Sequence, residues 1–182
     1  MMSLSELELL KMIQEPETRE KGYRLLIDMY QRRIYGITRK MVLIHEDADD
    51  ITQNTFIKAF KNLHSFNGNS SLFTWLYRIA TNESLNFLQR KKRKFLLSIE
   101  DHEEVMKKYV DSSPLIDGDA IERRLQKALL ALPEKQRLVF NLRFYEDLSY
   151  DEISQITETS VGGLKASYHH AVKKLENELK KE

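Results

Sequence analysis

The chain has 182 residues, enough for one ordinary domain or two small ones. Hydrophobic residues make up 41% and charged residues 31%, a globular balance that excludes disordered and fibrous classes. Cysteine is absent, which excludes disulfides, thiol nucleophiles and cysteine-ligated metal sites, and the net charge of +1 leaves charge distribution more telling than charge itself. The first residues, as far as Glu17, mix acidic with apolar side chains and do not read as a signal peptide. No stretch approaches the ~18 apolar residues of a membrane-spanning helix. A cytoplasmic protein is expected.

Six Gly and three Pro against plentiful Leu, Lys and Glu favour helix, and no period-two strand pattern competes with the helical one. The expected fold is all-α, two small helical domains joined by a linker. A first helical region runs from about Leu4 to Ile44, interrupted near Pro16 and Gly22. A second starts near Asp47 and lines Ala48, Ile51, Phe56, Ala59, Phe60 and Leu63 along one face. The acidic start suits the positive end of the helix dipole. After the polar loop Asn67-Gly68-Asn69-Ser70-Ser71 comes a third helix with Leu72, Trp75, Leu76, Ile79, Ala80, Glu83 and Phe87 roughly aligned, so Trp75 is expected in the core. It runs into a basic run, Arg90, Lys91, Lys92, Arg93 and Lys94. Glu100 to Glu122 is mostly acidic and carries Ser112-Ser113-Pro114 and Asp117-Gly118, a linker signature that marks the domain boundary.

The second half opens with Ile121, Leu125, Ala128, Leu129 and Leu132 at helical spacing. Pro133 stops that helix and suits the first turn of the next. Ser149 with Glu152 three residues on forms a capping box for a short helix. A turn at Glu158-Thr159-Ser160 leads to a last helix with Leu164, Tyr168, Ala171 and Leu175 inward and a basic outer face. A capped short helix, a tight turn and a basic helix make a helix-turn-helix, whose second helix enters the major groove. The outward residues Lys165, Ser167, His169, His170, Lys173 and Lys174 are the candidates for DNA contact. Gly162 and Gly163 would let backbone N–H groups approach a phosphate.

The stretch LPEKQRLVFNLRFYEDLSYDEISQITETSVGGLKASYHHAVKKLENEL resembles region 4 of bacterial sigma factors. The stretch DADDITQNTFIKAFKNLHSFNGNSSLFTWLYRIATNESLNFLQRKKRK resembles sigma region 2. The second likeness is the more specific. Ala48-x-Asp50-x-x-Gln53-x-x-Phe56, the Gly/Asn/Ser loop, Trp75-Leu76-x-x-Ile79-Ala80-x-Asn82 and the basic run occur in the family's order. Nothing between resembles sigma region 3, the mark of the extracytoplasmic-function (ECF) group. The likeness covers roughly residues 23–94 and 120–180. It implies region 2 over 10–95, a linker over 96–118 and region 4 over 119–182.

The resemblance also implies roles. Asp49, Asp50, Gln53, Asn54 and Phe56 would dock on the clamp helices of core RNA polymerase, where carboxylates and amides suit a basic partner. Phe66, Asn67, Gly68, Asn69 and Ser70 would hold a base flipped from the downstream promoter element. Arg78 and Asn82 would face the same strand, and Arg90, Lys91, Lys92 and Arg93 would hold phosphates. Gly162, Gly163, Lys165, Ser167, His169, His170 and Lys173 would meet the upstream element, around minus thirty-five. Many relatives carry Thr at the position of Gly163 and Arg at those of Ser167 and His170. The docking geometry therefore carries over but the base preference does not, since Arg is the strongest guanine reader. Asn54 stands where Glu is frequent, which weakens one polymerase contact. The implied partners are core RNA polymerase, promoter DNA and an anti-sigma factor, often a membrane protein. No cofactor, metal or small-molecule substrate is expected.

Two other readings compete. His45, Glu46, Asp47, Asp49 and Asp50 could ligate a divalent metal in an enzyme, yet no second cluster, phosphate loop or nucleophile motif completes a site. A stand-alone helix-turn-helix regulator explains the second half but leaves the Asp50/Gln53 surface and the Trp75–Asn82 helix unexplained.

Overall fold

The computed structural model describes residues 5–42, 44–66, 68–95 and 120–180, and the regular structure among them is all helical. The expected linker over 96–118 and the loop residue Asn67 lie outside the described residues. Helix α1 spans Glu6–Gln14 and opens with a capping box of the same Ser-x-x-Glu form as Ser149–Glu152, one that the reading of the sequence had passed over: Ser5 Oγ accepts from the Glu8 N–H, and Glu8 accepts from the Ser5 N–H at 2.9 Å. It stops because Pro16 forces the preceding Glu15 into extended backbone, φ −80° and ψ 126°.

Helix α2, Arg19–Val42, passes straight through Gly22, where a second interruption was expected. That glycine is buried, and a Cβ there would lie 2.6 Å from Ile13 Cγ1. A helical glycine costs up to about 1 kcal/mol relative to alanine. Here the missing side chain lets α1 close on α2. Helix α3, His45–Asn62, starts a little before the expected Asp47, with Ile44 at its N-cap and Glu46 and Asp47 in its first turn. A single 3-10 turn, Leu63–Ser65, leads to the loop before α4, Leu72–Phe95.

The second unit contains α5, Ala120–Leu130, α6, Glu134–Phe144, α7, Tyr150–Thr157, and α8, Val161–Leu179. Pro133 occupies the N-cap of α6 rather than its first turn, a shift of one position that still spares a backbone donor. The Ser149–Glu152 capping box of α7 is present, and Trp75 is buried, as the spacing predicts.

The two units are in contact. One cluster of buried side chains joins Ile34, Ile37, Met41, Leu76 and Tyr77 of α2 and α4 to Leu138, Leu142, Leu148, Ile153 and Ile156 of the second unit. Each such side chain is worth roughly 1.5–3 kcal/mol on burial. Two thin cores thus support each other. A smaller cluster, with Leu129, Leu132, Phe140, Ala171 and Leu175, belongs to the second unit alone.

Polar contacts fix the register of that junction. Glu146, just beyond α6, accepts from the Tyr77 hydroxyl at 2.8 Å and from Lys40 Nζ at 3.2 Å, with Arg33 Nη2 at 3.9 Å. Burial, and then the Glu146 carboxylate, push the Tyr77 hydroxyl far above its usual pKa, so it remains a donor. Arg137, buried on α6, donates to the Met41 carbonyl at 3.0 Å, a cation at the negative end of α2.

Candidate nucleic-acid interface

On α3 the apolar stripe of Ala48, Ile51, Thr55, Phe56 and Ala59 is buried, which turns Asp50, Gln53 and Asn54 outward. Asp49 is half-buried and lies 3.3 Å from His45 Nε2, while His45 Nδ1 shares a hydrogen bond of 2.7 Å with the Tyr35 hydroxyl. Phe56 is the exception among the expected polymerase contacts. It is only 5% exposed, packed beside Phe60 in the core, so it backs the polar surface instead of forming part of it. Ile57, by contrast, is 47% exposed on the helix and adds an apolar element that the spacing had not singled out.

The next face lies on α4. Trp75, Arg78, Ile79, Asn82 and Glu83 recur at the three- and four-residue steps of one helical face, and with Lys58 and Asn62 of α3 they line a cleft of about 280 Å³. The cleft therefore unites the expected Arg78 and Asn82 with three groups to which no site role was given. Glu83 was already aligned with Trp75 and Ile79 by its helical phase. Lys58 and Asn62 carry no such signal, since the Lys58–Glu83 ion pair joins two helices.

A second cleft of about 430 Å³ lies between the units, lined on one side by Phe66, Asn69, Ser70, Thr74, Trp75 and Arg78. Its other wall is Ser154, Gln155 and Glu158 of α7 and the turn after it. Phe66 packs its ring 5.4 Å from that of Trp75, so the loop has an aromatic floor. Gly68 adopts φ +74°, a left-handed conformation that suits glycine. Arg78 Nη1 is 3.4 Å from Glu158 Oε1, so the helix-turn-helix meets this side chain in the arrangement observed.

Farther along α4 the basic run divides. Arg90, Lys92 and Arg93 are exposed, but Lys91 Nζ is held 2.9 Å from Asp47 Oδ2 at the start of α3. Lys91 therefore ties two helices together, a role that its place in a basic run concealed.

In the second unit α7 and α8 form the expected helix-turn-helix. Glu158 ends α7 in the left-handed region at φ 54°, and Ser160 caps α8. Lys165, His169, His170 and Lys173 are exposed on α8 and Ser167 is half-buried, while Leu164, Ala171 and Leu175 face inward. Gly162 is exposed. The Gly163 N–H, expected to approach a phosphate, donates instead to Ser160 Oγ at 3.3 Å. A Cβ at Gly163 would lie 3.3 Å from that same oxygen. Lys174 is drawn back to Gln136 Oε1 at 3.1 Å.

Among the described residues no group of three or more His, Asp or Glu is placed to hold a metal ion. No described helix is long and apolar enough to cross a membrane.

Comparison with known proteins matches both regions of the chain. Residues 26–94 match the family model for Sigma-70 region 2, and residues 122–175 match that for Sigma-70, region 4. The chain is 31% identical over 163 residues to the ECF RNA polymerase sigma factor SigW of Bacillus subtilis, covering 85% of this chain and 87% of that one. It is 30% identical over 168 residues to the ECF RNA polymerase sigma-E factor of Escherichia coli K12, covering 88% and 87%. By structure it resembles the sigma factor RpoE in complex with the anti-sigma factor NepR from Bartonella quintana, with a TM-score of 0.72 over 89% of this chain and 99% of that one at 23% identity. It also resembles CnrH in complex with the cytosolic domain of CnrY, with a TM-score of 0.66 over 93% and 94% at 18% identity.

Proposed function

This chain belongs to the sigma-70 family as an alternative sigma factor of the ECF type that directs core RNA polymerase to promoters, and we propose how its surfaces divide that task. Residues 10–95 form the core-binding and promoter-melting unit and 119–182 the upstream-reading unit, with 96–118 joining them. Asp49, Asp50, Gln53 and Asn54 dock on basic helices of the polymerase, with complementary charge setting orientation and encounter rate. Phe66 and its loop receive an extruded base, whose unstacking costs a few kcal/mol and is recovered by stacking and edge hydrogen bonds. Asn82 and Arg78 follow the same strand, while Arg90, Lys92 and Arg93 meet phosphates. On α8, Lys165, His169, His170 and Lys173 meet the upstream element, with Ser167 and Gly162 beside them.

The observation that carries this reading is the exposed Asp50–Gln53–Asn54 face lying within the region 2 match, on the helix beside the Arg78–Asn82 cleft. A stand-alone helix-turn-helix regulator has no use for that face. Polymerase performs the chemistry, so the sigma chain acts as a positioning subunit and not as an enzyme, in the cytoplasm where polymerase works. We add an anti-sigma factor to its partners because a sigma factor of this fold, RpoE, was solved with the anti-sigma factor NepR bound.

Run-off transcription with bacterial core polymerase on a library of promoter fragments tests the reading. Initiation from a subset of fragments only when both are present is expected. Asn82→Ala and Lys165→Ala should each reduce it by about five- to a hundredfold, the range of a lost base or phosphate contact worth ~1–3 kcal/mol. A protein that shifts duplex DNA alone, without affecting polymerase, would instead be a stand-alone regulator.

A further inference from the structure

Glu6 lies in the first turn of α1, far in sequence from the promoter-facing residues. Its Oε2 nevertheless accepts the backbone N–H of Leu72 at 3.1 Å, and its Oε1 accepts the hydroxyl of Tyr30 at 3.0 Å. Leu72 is the first residue of α4 and is fully buried. A helix's first N–H groups have no partner within the helix, and a buried donor left unsatisfied is costly. Ser71 satisfies a second donor, its Oγ accepting the Thr74 N–H at 3.1 Å. The carboxylate also meets the positive end of a 24-residue helix dipole.

Glu6 is held firmly enough to act at this distance. Leu9 and Ile13 of α1 are buried, and Ile13 sits against the bare backbone of Gly22. Tyr30 is buried on α2, and burial, with Glu6 beside it, pushes its hydroxyl up to about 12, so it stays protonated and donating at neutral pH. The pinned point lies one residue after the Phe66–Ser71 loop and just before Trp75 and Arg78, so loop and cleft share one fixed hinge point.

We propose that Glu6 is a positioning residue for promoter melting, holding the start of α4 so that the loop and the Trp75–Arg78 turn are preformed for the extruded base. The inference rests on the promoter-melting role assigned above. A preformed pocket lowers the ordering cost when the base enters, so the effect falls on the opening step.

The test uses the full chain with core polymerase on one promoter in two forms, fully duplex and pre-melted over the downstream element. Glu6→Ala removes both bonds, and Glu6→Asp shortens the reach by one methylene while keeping the charge. Both should slow open-complex formation on the duplex by about tenfold, the scale of one lost charge-assisted hydrogen bond. On the pre-melted template they should stay within about twofold of the parent. Glu6→Gln can still accept from Leu72 and donate to the Tyr30 oxygen, so it should restore the duplex rate. Equal losses on both templates would make Glu6 a general support of the fold and overturn the inference, as would an unchanged duplex rate. If Glu6→Ala does not fold, Glu6→Asp decides alone. A parent chain silent on both templates would sink the sigma reading itself, a result separable from any effect at Glu6.

Discussion

Gly22 and Ile13 are a contact between one backbone and one side chain, and their test is a single methyl group. In Gly22→Ala the new Cβ would have to share space with Ile13 Cγ1 at 2.6 Å and the Ile13 N at 3.1 Å. Overpacking of this kind costs about 1–3 kcal/mol, more than the ~1 kcal/mol an alanine gains in helix propensity. The urea midpoint of Gly22→Ala should therefore fall, and a midpoint that rises would mean α1 is not closely seated. The same scale explains Phe56 and Lys91. Each stands in a motif whose neighbours face solvent, yet Phe56 packs inward and Lys91 is paired to Asp47. Motif membership names a residue's neighbourhood, while helical phase and a cross-helix partner set its direction.

At the scale of elements, the ends of the helices were more legible than their interiors. The Ser149–Glu152 box that opens the helix-turn-helix was readable because it is local, with Glu152 reaching back to the Ser149 N–H at 2.8 Å. The Ser149 side chain, and then its backbone, hold the Glu152 carboxyl below the usual 4.5. A depressed folded pKa means the contribution is complete above the unfolded value and is lost as pH falls below about 4.5 through the lower folded value. The urea midpoint should accordingly begin to decline below that pH. Ser149→Ala, which removes the cap, should lower stability by about 1 kcal/mol at neutral pH and flatten that acidic decline. An unaltered acid limb in Ser149→Ala would show that another carboxylate governs it. The Gly22 interruption was misread at this scale, since helical spacing registers a glycine without registering what lies beside it.

For the whole molecule, the two units meet across Glu146, whose side chain is 12% exposed and is shared by Tyr77, Lys40 and Arg33. Removing one member of a mostly buried charged cluster leaves the others without their partner. Glu146→Ala should loosen the junction, lowering the thermal midpoint and raising the radius of gyration measured by small-angle scattering. In the observed arrangement Glu158 engages Arg78 and α7 forms one wall of the cleft beside the loop. The loosened variant should therefore bind a single-stranded downstream-element oligonucleotide more tightly than the parent. An unchanged radius of gyration with unchanged binding would mean that the shared apolar cluster, and not Glu146, holds the units together.

By itself the sequence determined the all-helical class, the order of the two regions, the capping box and turn of the helix-turn-helix, and the outward polar face of α3. Those features depend on period, caps and local spacing, whose physics acts within a turn or two of the chain. Tertiary structure alone decided that the two units share a core, that Gly163 donates to Ser160, that Lys91 braces Asp47, and that Glu6 caps α4 from 66 residues away. Burial and long-range hydrogen bonds depend on which surfaces meet. That meeting is a property of the packed chain, with no trace in the spacing of any one segment.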